Sequence, residues 1–279
     1  MHLNMVKHCI HMADLHIKND VKGTHMKEKV NSLVKQIIED VKGYNRDEVR
    51  IIIVGDIFES KIRASNEARS LFHMLLNLLD KIAVTYIVAG NHDFLLNNMD
   101  KEDSITPTFQ IKNAYKNVKF LDKELGYKSG QINDDNVIFA LFSMFDDFKD
   151  PNINGLKKNN PDKRIVALYH GDVVGSVTDV GHVSDSGIDT NLFKECDCVM
   201  AGHIHKFQEI RNNGVPLVYS GSIFQKDFGE NVSGHGYVIW NLEDMTYEHR
   251  DVKNDYSFYK FEIESYDDVK NETERLLNL

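Results

Sequence analysis

The sequence predicts an α/β fold of two stacked β-sheets with helices outside, and three observations carry that prediction. Strand-like apolar runs alternate with amphipathic helical patterns through the first half of the chain. Hairpin signals crowd the second half. Side chains of metal-binding type follow directly on five of the apolar runs.

Val6 to Met12 reads as a buried strand. Met26, Val30, Leu33, Val34, Ile37, Ile38 and Val41 share one helical face, and Gly43 ends that helix. Val49 to Val54 is the next strand. Ser65 is placed to cap a helix carrying Leu71, Phe72, Leu75, Leu76 and Leu79. Val84 to Ala89 is a third strand. Such a βαβαβ order implies parallel pairing with helices covering the sheet.

Shorter strands follow at Val137 to Ser143, Ile165 to Tyr169 and Cys198 to Ala201. Phe207 to Arg211 and Val215 to Tyr219 flank Asn212-Asn213-Gly214, a hairpin signal. Tyr237 to Leu242 and Thr246 to Arg250 flank a second turn, so the later β-structure is expected to be more antiparallel. Asp146 to Asp162 and Gly171 to Thr190 read as long surface loops, and loops of that length are often functional. His182 and His235 lie in glycine-rich loops and read as surface residues. A new pattern starts after Arg250, with a strand at Phe258 to Ile263 and a helix from about Asp267. Residues 1–252 are therefore expected to form the main domain and 253–279 the beginning of a small capping element.

Composition narrows the function. The chain has 279 residues, of which 42% are hydrophobic, enough for a sizeable core. Its apolar runs are too short to span a bilayer, and Met1 to Lys7 has no secretory leader pattern, so an intracellular protein is expected, of viral origin among others. Cys9, Cys196 and Cys198 lack the second pair that a tetrahedral metal site needs and read as buried thiols. The net charge of −10 works against binding to nucleic-acid phosphates.

The strand-end motifs are Asp14-Leu15-His16, Gly55-Asp56, Gly90-Asn91-His92-Asp93, His170-Gly171 and Gly202-His203-Ile204-His205. In open α/β sheets, ligands bind beyond the carboxyl ends of strands. Carboxylates and neutral imidazoles suit first-row divalent ions. A lone Asp after a Gly can bridge two cations with its two oxygens. Two metals about 3.5–4 Å apart clamp a phosphate and lower the pKa of a bridging water.

In this order the motifs resemble the calcineurin-like metallophosphoesterase superfamily, from Ile10 to about His205. The resemblance implies an α/β/β/α sandwich of two mixed sheets. It implies one divalent ion on Asp14, His16, Asp56 and His205, and a second on Asp56, Asn91, His170 and His203. His92 matches the catalytic histidine, which protonates the leaving oxygen or stabilises the transition state, and Asp93 is expected to orient it. The runner-up activities are those of a small-substrate phosphatase or cyclic-nucleotide phosphodiesterase. A non-enzymatic scaffold on the same fold would have lost ligands that this chain keeps.

His11 to His16, Gly55-Asp56-Ile57-Phe58, Ala201 to Lys206, Tyr219-Ser220-Gly221-Ser222 and Phe228-Gly229-Glu230 resemble the SbcD-type DNA-repair nucleases. Phe258-Tyr259-Lys260-Phe261 resembles the start of their capping domain. That branch implies a manganese-dependent exonuclease on duplex ends and endonuclease on single strands, acting in repair or recombination. It also implies an SbcC-type ATPase partner and a homodimer. Glu59 departs from the pattern, standing where some members carry a histidine tied to exonuclease activity. Lys18 and Lys22 after the first motif, and Lys61 and Arg63 after the second, are candidate phosphate contacts.

Overall fold

The computed structural model describes residues 5–95, 98, 101–110, 114–259 and 263–276. In the first half, β1 (His8–Met12), α1 (Met26–Val41), β2 (Val49–Val54), α2 (Asn66–Ile82), β3 (Val84–Val88), β4 (Val118–Phe120) and α3 (Leu121–Glu124) follow in order. The second half adds β5 (Gly130–Asp134), β6 (Val137–Phe142), α4 (Leu156–Asn159), β7 (Arg164–His170), β8 (Cys198–Gly202), β9 (Gln208–Ile210) and β10 (Leu217–Tyr219). Strands β11 (Gly236–Asn241) and β12 (Thr246–Asp251) and helix α5 (Tyr266–Leu276) complete the described elements.

The strands form two six-stranded sheets, ordered β12-β11-β1-β2-β3-β4 and β5-β6-β7-β8-β10-β9. Strands β1 to β4 pair in parallel, as the βαβαβ pattern requires. The second sheet differs from expectation. Its central strands β6, β7, β8 and β10 are also parallel, and antiparallel pairing is confined to its edge strands β5 and β9. Hairpin signals report only neighbours in sequence. The parallel pairs here are joined by the long connections after Phe142 and His170, which carry no strand signal of their own.

Side-chain alternation explains the layers. In β1, Ile10 and Met12 face α1 and α2, packing with Leu33, Ile37, Phe72 and Leu75. Cys9 faces the other way, into a core shared with Phe139, Leu168 and Met200 of the second sheet. His11 also points between the sheets. Its Nε2 lies 3.1 Å from Ala201 O and its Nδ1 accepts from Trp240 Nε1 at 3.5 Å, so a buried polar pair ties the sheets together. Arg50 makes a second tie, a bidentate bond to Asp134 at 2.5 and 2.7 Å. The outer face of the second sheet is covered thinly, by Leu156 of α4, Ile153, Phe193 and Val173. The sandwich is as expected, with short helical turns and loops as its fourth layer.

Local signals hold in detail at several places. Ser65 Oγ accepts from Ala68 N at 3.1 Å and caps α2. The three cysteines are buried and unpaired. His235, expected at the surface, is buried, with Nδ1 2.8 Å from Ser222 Oγ and Nε2 2.6 Å from Asn231 O. The strand expected at Phe258 to Ile263 lies partly outside the described residues, because 260–262 are not among them. Before it, Gln225 holds Phe258 at both backbone groups, at 2.6 and 2.9 Å. No helix among the described residues is long and apolar enough to cross a membrane.

Asp122 supports the end of β3. Its buried carboxylate accepts from Ala89 N at 2.8 Å and from Ser143 Oγ at 2.5 Å. Burial nevertheless dominates and pushes its pKa up to about 6. A raised carboxyl pKa means that the folded chain binds this proton more tightly than the unfolded one. Its contribution is present at acid pH and is lost as pH rises from about 4 to about 6, by about 3 kcal/mol. Asp122→Asn is expected to remove that part of the pH dependence. Urea unfolding of both proteins at pH 4.5 and 7 measures it, and an identical pH dependence in the two would refute it.

Candidate metal centre

The strand-end motifs converge at one edge of the sandwich because their strands are parallel neighbours within each sheet. Two loops are zipped together there by the backbone. Asp14 N donates to Gly55 O, His16 N to Asp56 O and Ile17 N to Ile57 O, at 3.1, 3.0 and 2.9 Å. The close approach needs glycine. At Gly90 a Cβ would overlap the Asp56 backbone nitrogen and carboxylate, and Gly55 adopts φ 83° against His170. Asp14, His16, Asp56 and His203 lie in the left-handed region, with φ of 54°, 44°, 53° and 98°. Such strain costs about 1–3 kcal/mol per residue and clusters at functional sites.

The donors fall into two neighbouring sets. In one, Asp14, His16 and His205 bring ligand-type atoms together. His16 Nε2 and His205 Nε2 lie 3.0 Å apart, and His16 Nε2 is 4.0 Å from Asp14 Oδ1 and 3.7 Å from Asp56 Oδ2. In the other, Asp56, His170 and His203 meet. His170 Nε2 is 3.4 Å from Asp56 Oδ1, and Asn91 Oδ1 lies 3.2 Å from His170 Nε2 and 2.8 Å from His203 Nδ1. Asp56 thus offers one oxygen to each set.

The rings are fixed from behind. His170 Nδ1 donates to Val54 O at 2.7 Å, which turns Nε2 toward Asp56 Oδ1, 3.4 Å away. His205 Nδ1 donates to Glu230 Oε1 at 2.5 Å, which turns its Nε2 toward His16. His16 Nε2 and His205 Nε2 face each other at 3.0 Å with two carboxylates alongside, a spacing that needs a proton or cation between the two nitrogens. That is the donor set of a divalent ion. Burial alone would lower His170, yet the Asp56 carboxylate holds it up at about 9. Burial likewise opposes ionisation of Asp56, but His170 and His16 hold its carboxyl well below the usual range. His203, half-buried and beside His170, is pushed down to about 3 by desolvation and by that neighbour. Asp56 is therefore kept ionised against positive charge, whereas burial pushes the Asp14 carboxyl up.

His92 lies at the same edge, its Nδ1 2.7 Å from Glu59 O and its backbone nitrogen donating to Asp56 Oδ1 at 2.7 Å. Asp93 does not orient it, contrary to expectation. The Asp93 carboxylate turns inward and accepts from Ile57 N, Phe58 N and Gly90 N, at 3.0, 3.2 and 2.9 Å. A short side chain adjacent in sequence cannot both hold those turns and reach the neighbouring ring. Asp93 instead fixes the loop carrying Asp56 to the loop carrying Asn91.

The four basic candidates separate. Lys18 Nζ donates to Lys226 O at 2.5 Å and lies 4.8 Å from the centre of the Phe258 ring, so it is engaged within the fold. Lys22 and Arg63 are exposed and Lys61 is half-buried. Their two turns are tied by Asn19, which donates to Arg63 O at 3.0 Å and accepts from Ser65 N at 2.7 Å. Three acidic residues to which the sequence assigns no role at the site also reach it. Glu230 is one, through His205. Asp172 Oδ1 lies 3.6 Å from His203 Nε2, and Glu59 Oε2 3.1 Å from His16 Nδ1. For Asp172 and Glu59 the available signal is an acidic residue close in sequence to a ligand-bearing strand end.

The calcineurin-like phosphoesterase family model matches residues 8–207. An uncharacterized protein of Acanthamoeba polyphaga mimivirus is 32% identical over 264 residues, covering 92% of this chain and 19% of that protein. The SbcD chain of the SbcCD nuclease from Staphylococcus saprophyticus is 23% identical over 257 residues, covering 85% of this chain and 66% of that one. The chain thus spans about a fifth of the first relative and just under two thirds of the second. The crystal structure of the Thermus thermophilus protein TT1561 shares the fold, with a TM-score of 0.52 and 11% identity over 89% of this chain and 100% of that one. The matched span carries all five strand-end motifs and the strands that bring them together, so the chain belongs to the calcineurin-like phosphoesterase family.

Proposed function

We propose that the chain is a two-metal phosphodiesterase of the SbcD type that cleaves DNA, with manganese as the metal. Asp14, His16, Asp56 and His205 hold one ion, and Asp56, Asn91, His170 and His203 hold the other. The observation that carries this reading is Asp56, whose Oδ1 faces His170 and whose Oδ2 faces His16. When bound, the ion pair supplies Lewis-acid stabilisation of the phosphate oxygens and a water acidic enough to attack.

The residues of the chain do the rest. His92, held through Nδ1 by Glu59 O, presents Nε2 to carry a proton to the departing 3′-oxygen. Asp93 acts as a positioning residue for the loops beneath. Lys22, Lys61 and Arg63 contact flanking phosphates. The DNA substrate is supported by the staphylococcal relative, which is part of a nuclease, and that name also supports an SbcC-type partner chain. Residues 253–279 begin a capping element, and a homodimer completes the reading.

The test is cleavage of end-labelled duplex and single-stranded DNA with manganese, with a chelator control and with simple diesters and cyclic nucleotides alongside. Manganese-dependent DNA cleavage is expected. Turnover of small esters alone would move the chain to the small-substrate branch, and no turnover of any ester would sink the reading.

Glu230→Ala is expected to weaken manganese binding about 10–100-fold, because His205 loses the acceptor that fixes its ring. Calorimetric titration measures this, and parental affinity in the variant would refute the positioning role.

A further inference from the structure

Glu59 is pinned at both backbone groups. Its nitrogen donates to Ile17 O at 3.2 Å, and its oxygen lies 2.7 Å from His92 Nδ1. The turn after Asp56 thereby delivers the Glu59 side chain beside the strand end that carries His16. There Glu59 Oε2 faces His16 Nδ1 at 3.1 Å. Both atoms are buried, and neither has a hydrogen bond elsewhere among the described residues. The other carboxylate oxygen turns outward, with Oε1 3.6 Å from Lys226 Nζ.

Lys226 joins this contact to the one behind His205. Its backbone nitrogen donates to Glu230 Oε2 at 2.7 Å, while Glu230 Oε1 accepts from His205 Nδ1. Its oxygen accepts from Lys18 Nζ at 2.5 Å, which ties the same segment to the chain just beyond His16. The two imidazoles of the first donor set thus each have a carboxylate behind Nδ1, and Lys226 touches both carboxylates.

The chemistry of the ring gives this arrangement its meaning. A neutral imidazole carries one N–H. When Nε2 gives its lone pair to a cation, the proton sits on Nδ1 and needs an acceptor. For His16 that nitrogen is buried, and Glu59 Oε2 is the acceptor within reach. A carboxylate in that position also makes the ring a stronger base. An ion pair between Glu59 and Lys226 alone would leave Oε2 and Nδ1 both buried without a partner, which is costly. Their contact resolves both.

We propose that Glu59 is a positioning residue for the first ion. Its carboxylate holds His16 with the proton on Nδ1 and Nε2 free for the metal, and Lys226 fixes it against the carboxylate that does the same for His205. Glu59 acts through His16 rather than as a ligand. This inference rests on the two-metal reading above.

Calorimetric titration of manganese into the full chain tests it without any turnover. Glu59→Ala is expected to weaken binding about 10–100-fold. Glu59→Gln keeps an oxygen that can accept from Nδ1 but loses the charge, so it is expected to fall between the parental chain and Glu59→Ala. Lys226→Met keeps the backbone bonds to Glu230 and Lys18 and removes a positive charge beside the ion. Its affinity is expected to equal or exceed the parental value. Parental affinity in Glu59→Ala overturns the inference. So does an equal loss in Glu59→Gln and Glu59→Ala, which would make Glu59 a distant charge rather than a partner of the ring. A loss in Lys226→Met as large as that in Glu59→Ala overturns it too, because the ion pair would then be what matters. Those three outcomes leave the metal reading standing, whereas a parental chain that binds no manganese brings down that reading and this inference together.

Discussion

Asp56→Asn is expected to abolish turnover, lowering kcat/KM by on the order of 10³-fold or more, and to reduce bound metal to fewer than two ions per chain. The carboxylate reaches both donor sets, 3.4 Å from His170 Nε2 through one oxygen and 3.7 Å from His16 Nε2 through the other. An amide keeps one oxygen and replaces the other with an NH₂ group that repels a cation. The variant should fold. Asparagine tolerates the φ of 53° at this position, and its oxygen can still accept from His92 N. Loss of function would therefore report on the bridge rather than on the scaffold. Elemental analysis beside turnover is the check, and a variant with two bound ions and parental rate would show that Asp56 does not bridge.

Much of this arrangement is legible in the sequence, and the reason is local. A parallel strand buried on both faces reads as an apolar run, and its carboxyl end is where the next polar residue must fall. Asp14, Asp56, Asn91, His170 and His203 are each found that way, and the structure brings them to one edge. What escapes depends on distant contacts. Glu230 meets His205 across 25 positions of chain, and neither residue marks the other. Adjacency assigns Asp93 to its neighbour His92, whereas the fold spends its carboxylate on backbone nitrogens of two loops. Strand β4 is three residues long and β5 is largely polar, so neither shows the periodicity from which a strand is read. Lys29 looks like a surface cation after the first motif. It is 4% exposed and lies within 6 Å of the Phe224 and Phe258 rings, which shield its aliphatic stem and face its charge.

His92→Ala is expected to cut kcat by about two to four orders of magnitude while leaving two metal ions bound. The competing reading is that His92 is itself a ligand, since its ring shares an ion-sized neighbourhood with His16 and Asp56. Both of those residues already belong to the two donor sets, and His92 Nδ1 is already engaged by Glu59 O at 2.7 Å. A ligand role predicts loss of metal in the variant, and an acid role predicts its retention. Leaving-group chemistry separates the two further. A departing sugar alkoxide needs a proton, whereas p-nitrophenolate leaves with little help. If His92 donates that proton, the deficit of His92→Ala should be large on DNA and should shrink markedly on a p-nitrophenyl ester. An equal deficit on both substrates, with metal retained, would mean that His92 stabilises charge on the phosphate instead of protonating the leaving oxygen.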